Sequence, residues 1–135
     1  MVKAKKTAKK SKTKTKTKRN VPSGIISVQA TFNNTIITIA DLEGNTLAQG
    51  SPAKIGFKGS KKSTAFAATK AATEVAFEVM KKYGFKEAKV YLQGAGAGRN
   101  AAIKGLDSAG LRLTTLVDKT GLPHNGCRPK KRPRK

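Results

Sequence analysis

The sequence predicts one α/β domain, a mixed five-stranded sheet covered by two main helices, set between two basic arms. Three observations carry this. Apolar residues alternate along five short stretches with the two-residue period of a strand. Two intervening stretches switch to three- and four-residue spacing, the period of a helix face. Charge is partitioned along the chain. Of 29 Lys and Arg, ten fall in residues 1–20 and seven in 119–135, where no acid occurs; the middle holds twelve, with all seven acids. A chain of 135 residues has room for one such core. The expected division is a disordered basic arm over 1–20, the domain over 21–118 and a basic tail over 119–135.

Order begins near Val21-Pro22-Ser23-Gly24. In IISVQATF, Ile26, Val28, Ala30 and Phe32 alternate with Ser27, Gln29 and Thr31, which reads as a strand. Asn33-Asn34 follows, and Asn tolerates the positive φ of a tight hairpin turn. TIITIA is the second strand, DLEGN a turn and TLAQGS a weaker third strand, so the first half is a meander. STAFAATKAATEVAFEVMKKYG then places Ala68, Ala72, Val75, Ala76, Val79 and Tyr83 on one helical face. Ser60 or Ser63 is suited to cap its start and Gly84 to stop it. KEAKVYLQ returns to alternation, GAGAG turns into a helix over roughly 99–109, and LRLTTLVD is the last strand. Strand–helix–strand–helix–strand implies right-handed crossovers and parallel pairing in this half.

Composition excludes several classes. No apolar run reaches the ~20 residues of a membrane helix, and the arms lack the apolar face of an interfacial helix. MVKAKKTAKKSKTKTKTKR has no apolar segment of a secretory signal. One Cys forms no internal disulfide and suits a reducing compartment, with the cytoplasm the default. Acid-free basic blocks repel themselves and call for a polyanion.

The single His, His124, and the single Cys, Cys127, sit three residues apart in PHNGCRPKKRPRK. A zinc site needs three or four ligands, and only Asp118 is near. The pair therefore reads as a small-residue turn packed on RNA or protein, or as plain tail. GAGAGR (94–99) follows a strand and opens a helix, where backbone amides can hold a phosphate. Asp118, twenty residues past Gly98, imitates the acid of a dinucleotide fold, but Arg99 stands at the third Gly of GxGxxG. A soluble nucleotide, a nucleic-acid phosphate and a purely structural turn all remain open. Under the phosphate reading, a side chain at Gly96 blocks the ligand and leaves melting nearly unchanged, because the turn lies at the sheet's rim. GFKGSKKST (56–64) carries Lys58, Lys61 and Lys62 among glycines and hydroxyls, with Lys54 just before. It reads as a phosphate-contacting loop, or as a solvated loop with a helix cap. Phe32, Phe66 and Phe77 are spaced like core residues, which argues against a stacking platform for single strands and for grasp by backbone and shape.

NVPSGIISVQATFNNTIITI, GFKGSKKSTAFAATKAA, QGAGAGRNAAIKGL and PHNGCRPKKRPRK, taken together and in this order, resemble the family of small ribosomal subunit protein eleven, bacterial type. The resemblance covers roughly residues 19–135. It implies a ribonuclease-H-like three-layer sandwich without that fold's catalytic acids, hence no enzyme and no cofactor or metal. It implies seating on the platform of the small subunit, where the protein bridges helices of small-subunit (16S-type) ribosomal RNA. Neighbours there would be small-subunit proteins seven and eighteen, beside the messenger's Shine–Dalgarno cleft, with no membrane and no homo-oligomer. An organellar ribosome is compatible with it. The residues expected to meet RNA are Asn33, Asn34, Lys54, Lys58, Gly59, Ser60, Lys61, Lys62, Ser63, Gly94, Gly96, Gly98, Arg99, Asn100, His124, Asn125, Gly126, Arg128, Lys130, Lys131, Arg132 and Arg134. Ala95, Gly121-Leu122 and Lys130 depart from the family's usual prolines. On this reading His124 and Cys127 act by shape. His124→Gln with Cys127→Ser should leave particle assembly intact, and elemental analysis of the purified protein should find zinc well below one equivalent.

Overall fold

The computed structural model describes residues 19–134; the arm expected over 1–20 lies outside the described residues up to residue 18. Along the chain run β1 (Ser23–Ala30), β2 (Thr35–Asp41), β3 (Thr46–Gly50), a one-turn α1 (Pro52–Ile55), a 3-10 turn (Gly59–Ser63), α2 (Ala65–Tyr83), β4 (Glu87–Gln93), α3 (Gly98–Ser108) and β5 (Arg112–Asp118). The sheet order is β3-β2-β1-β4-β5. β1, β2 and β3 pair antiparallel, and β1 with β4 and β4 with β5 pair parallel. The meander and the parallel half are both as the sequence predicts.

Strand alternation decides which face is covered. Ile26, Val28 and Ala30 of β1, Ile37 and Ile39 of β2, and Ala88, Val90 and Leu92 of β4 are buried, while the residues between them are exposed or half-buried. Both α2 and α3 pack on that one face. The reason is topological: α2 carries the chain from β3 towards β4, and α3 carries it from β4 to β5, in the same direction across the sheet. Two right-handed crossovers that step the same way lie on the same side. The described residues thus form two layers rather than the three implied by the resemblance, and Ser27, Gln29, Thr38, Tyr91, Gln93 and Lys119 line a shallow groove on the uncovered side.

α2 approaches closely because its buried stripe is almost all alanine: Ala67, Ala68, Ala71, Ala72 and Ala76, with Val75 and Val79. α3 answers with Gly105, where a Cβ would sit 2.6 Å from the Thr69 carbonyl oxygen and 2.9 Å from the Ala72 Cβ. At that distance hydroxyls bridge the helices. Thr69 Oγ1 donates to the Ala101 carbonyl and Thr73 Oγ1 to that of Gly105, each at 3.2 Å. The cap of α2 is Thr64, whose Oγ1 accepts from the Ala67 amide, and not Ser60 or Ser63; Ser63 instead donates to the Ser60 carbonyl inside the 3-10 turn. Gly84 stops α2 in the left-handed conformation, as its position predicts.

The aromatic reading is reversed. Phe32, Phe66 and Phe77 are 79, 62 and 54 % exposed, and Phe85 is the largest buried side chain. Phe32 lies beyond the end of β1, so its place in the alternation has no strand to act on. On α2, Phe66 and Phe77 are eleven residues apart, about three turns, on the line opposite the alanine stripe. Truncation should separate the classes. Phe85→Ala should cost ~3–5 kcal/mol of unfolding free energy, and Phe77→Ala about 0.5 kcal/mol or less, as measured by urea denaturation.

Candidate nucleic-acid interface

Four segments singled out in the sequence lead off from one end of the sheet, where β1, β3, β4 and β5 finish. The first is the β1–β2 turn. The Thr31 amide donates to the Asn34 carbonyl at 2.8 Å, Asn34 N–H donates to Thr31 Oγ1, and Thr35 N–H donates to Asn34 Oδ1. Side chains tie this turn. Neither Asn33 nor Asn34 takes the positive φ expected of them; among described non-glycine residues only Asn125, in the tail, does so. Asn33 stays exposed and Asn34 lines a groove with Gln49, Ser51 and Lys54, which brings the turn to the end of β3.

The second segment is GAGAGR, seated directly on the first. Gly94 and Gly96 lie over the end of β1. A Cβ on Gly96 would stand 2.2 Å from the Thr31 carbonyl oxygen, and one on Gly94, whose φ is +93°, 2.2 Å from that of Ala30. The Gly96 amide donates to the Ala30 carbonyl at 2.9 Å, and the Gly94 amide to Thr120 Oγ1 at 3.2 Å. Gly98 is buried, with room for no Cβ between Thr35 Oγ1 and the Ala68 methyl. These glycines are required by close backbone approach, and the amides of Gly94 and Gly96 are already engaged. The expectation that a side chain at Gly96 would leave the fold undisturbed is therefore overturned. What this turn offers outward is Ala95, Ala97 and Asn100, with no side chain capping α3.

Arg99 holds this end together. Its Nη1 donates to the Gly94 carbonyl at 2.9 Å and its Nη2 to Asp118 Oδ2 at 2.5 Å. Asp118 also accepts from the Thr120 hydroxyl and amide. Its carboxyl is accordingly held well below the ordinary carboxylate range, first by Arg99 and then by Thr120. An acid so occupied is not free to take a ribose hydroxyl, and the dinucleotide reading loses its acid.

The third segment is the loop before α2. Lys54 is not the open cation that its sequence position suggests: its Nζ donates to the Gln49 carbonyl at 3.1 Å and lies 3.6 Å from Glu78. Glu78 also accepts from Lys82, and its carboxyl is lowered first by Lys82. Lys58, Lys61 and Lys62 make no ion pair among the described residues, and Gly59 and Ser60 are exposed beside them. No Asp or Glu occurs between Asn45 and Thr73. Thr69 bonds to α3 and Ala68 lies against Gly98, so the start of α2, which this loop leads into, lies beside the glycine turn.

The fourth segment is the tail. Lys119 N–H donates to the Leu92 carbonyl at 2.7 Å, and the Lys119 ammonium lies 3.8 Å from the Tyr91 ring centroid. Beyond Thr120, residues 121–134 make no hydrogen bond to the rest of the described chain, and they are exposed throughout. His124, Asn125, Gly126, Arg128, Lys130, Lys131, Arg132 and Arg134 thus leave from the same end and are not gathered onto the domain. No three metal-ligating side chains converge among the described residues.

Sequence reasoning missed Phe57, Phe66 and Lys70, which cluster beside the lysine loop. The signal was present: at 100° per residue, Phe66 falls opposite the Ala68–Val79 row.

The described residues thus form a small open α/β sheet with engaged acids, lysines that have no ion-pair partner among the described residues, and the start of a cationic tail at one end. The sequence model of the family described as Ribosomal protein S11 matches residues 24–134. Among curated relatives, the small ribosomal subunit protein uS11 of Chlamydia pneumoniae is 52% identical over 134 residues, 99% of each chain. That of Protochlamydia amoebophila is 53% identical over 133 residues, 98% of this chain and 91% of the relative. That of Chlamydia trachomatis serovar A is 51% identical over 130 residues, 96% and 98%. The chain belongs to the ribosomal protein S11 family, a family of structural ribosomal proteins and not of enzymes.

Two outcomes follow from the geometry. Gly96→Ala should lower stability by roughly 1–3 kcal/mol in a urea melt, because the added methyl meets backbone. Asp118 has a depressed pKa in the folded state, so it stabilises the fold above pH ~4 and loses that effect as pH falls. Asp118→Asn should lower the melting temperature at neutral pH, and calorimetry should show the gap to the unmutated protein narrowing steadily below pH ~4.

Proposed function

We propose that the protein is a structural constituent of the small ribosomal subunit that binds small-subunit ribosomal RNA through the β-sheet end described above, and stabilises it by phosphate neutralisation and backbone fit. One observation carries the reading: in a member of the S11 family, the acid-free lysine loop, the Asn33-Asn34 turn, the glycine turn and the tail all issue from one end of the domain. The open cations there are Lys58, Lys61, Lys62, Arg128, Lys130, Lys131, Arg132 and Arg134, with Asn33, Ser60 and Asn100 as neutral donors. Lys54 and Arg99 act from behind, fixing the loop and the turn. Ser63, Gly59, Gly94, Gly96 and Gly98 shape the surface that the RNA meets. His124, Asn125 and Gly126 form the bend that aims the tail, for which the left-handed Asn125 is suited.

The finer placement rests on the family resemblance: the subunit platform, bridging of separate RNA helices, proteins seven and eighteen as neighbours, and the messenger cleft alongside. So does the cytoplasmic ribosome as location.

A tail of open cations binds by releasing counterions, so its contribution is read in salt dependence. Deleting residues 128–135 removes six cations. In filter binding to transcribed small-subunit ribosomal RNA, the slope of log affinity against log salt should shrink by roughly four to five units if all six meet phosphate. An unchanged slope would mean that the tail hangs free, and equal affinity for duplex DNA would favour a general architectural role.

A further inference from the structure

We propose that Phe57, Phe66 and Lys70 form a seat for an unpaired nucleobase, so that RNA is held at the lysine loop by stacking as well as by charge. This rests on the RNA-binding function proposed above.

Phe66 stands in the first turn of α2 with its side chain turned away from the alanine stripe, 62 % exposed. It is not a loose surface residue. The Phe57 ring meets it edge to face, with centroids 6.3 Å apart and planes at 84°. The Lys70 ammonium lies 4.9 Å from its centroid. The ring is therefore held in place with much of its surface still open to solvent, which is what a stacking platform requires.

The surroundings select the occupant. Lys58, Lys61 and Lys62 lie between Phe57 and Phe66 in the chain, without ion-pair partners among the described residues, and the acid-free stretch from Asn45 to Thr73 contains five lysines. An apolar protein surface closing over Phe66 would have to desolvate these ammoniums. A nucleotide instead brings a π-face for the ring and a phosphate for the lysines. The base must be unpaired, because a continuous A-form helix keeps its base faces inside the stack. The seat thus adds recognition of a bulge, loop or splayed nucleotide to a surface otherwise suited to phosphates.

The test uses the full chain, which has no Trp, so that Phe66→Trp provides a single reporter at the seat. A short single-stranded oligoadenylate should quench its emission saturably, and inorganic polyphosphate should bind without quenching. Phe66→Leu, checked for an unchanged melting temperature, should bind the oligoadenylate roughly 5- to 150-fold more weakly. Its affinity for polyphosphate should equal that of the unmutated protein. Undiminished oligoadenylate binding by Phe66→Leu, with no quenching in Phe66→Trp, would overturn the seat while leaving the RNA reading standing; Phe66 would then face a protein. Absence of binding to either polyanion would bring down the RNA reading and the seat with it.

Discussion

Backbone approach without intervening side chains is the constraint on which the rest of this structure depends. Gly96 rests on the Thr31 carbonyl, Gly98 on Thr35 and Ala68, and Gly105 on Thr69 and Ala72. Any larger residue at these points would drive α3 off the sheet and away from α2. The contact is not strong by area, since alanine and glycine bury little apolar surface. It is exact in distance, and the distance lets Thr69 and Thr73 reach across to carbonyls of α3. Small residues here convert hydrophobic packing into a fixed geometry.

That geometry positions the candidate interface. With α3 pulled down, its first turn carries Arg99 to Gly94 and Asp118 and locks the glycine turn to the start of the tail. Two acids close to this end are consumed internally, Asp118 by Arg99 and Glu78 by Lys54 and Lys82. The pairs are partly exposed and individually weak. Their effect is electrostatic bookkeeping of another kind: carboxylates that would repel a phosphate face cations of the fold, and the remaining lysines face outward unopposed. A domain with only a modest surplus of charge thereby presents a strongly positive end.

The uncovered face of the sheet has a different character. Ser27, Gln29, Thr38 and Gln93 are neutral hydrogen-bonding groups set around a half-buried Ile36, and Lys119 lies on Tyr91 at its margin. An antiparallel-parallel sheet of this size tolerates a solvated face because alternation puts polar side chains there. The one-sided arrangement follows from crossover direction, and it leaves the chain two surfaces of unlike chemistry.

The sequence by itself determined the five strands, the two main helices and their order, because these depend on period and on local stop signals such as Gly84. It also determined the partition of charge into arms and domain, which is a property of composition. The alanine face of α2 was legible for the same reason. Tertiary structure alone decided which lysines are open, since Lys54 meets Glu78 only once β3 and α2 are packed. It decided that Gly94, Gly96 and Gly98 answer to neighbouring backbone, and that side chains close the Asn33-Asn34 turn in place of positive φ. It also set both helices on one face and left Phe66 in solvent. Each of these depends on partners distant in sequence or on which side of an element faces the core, and spacing along the chain records neither the partner nor the side until the elements are docked.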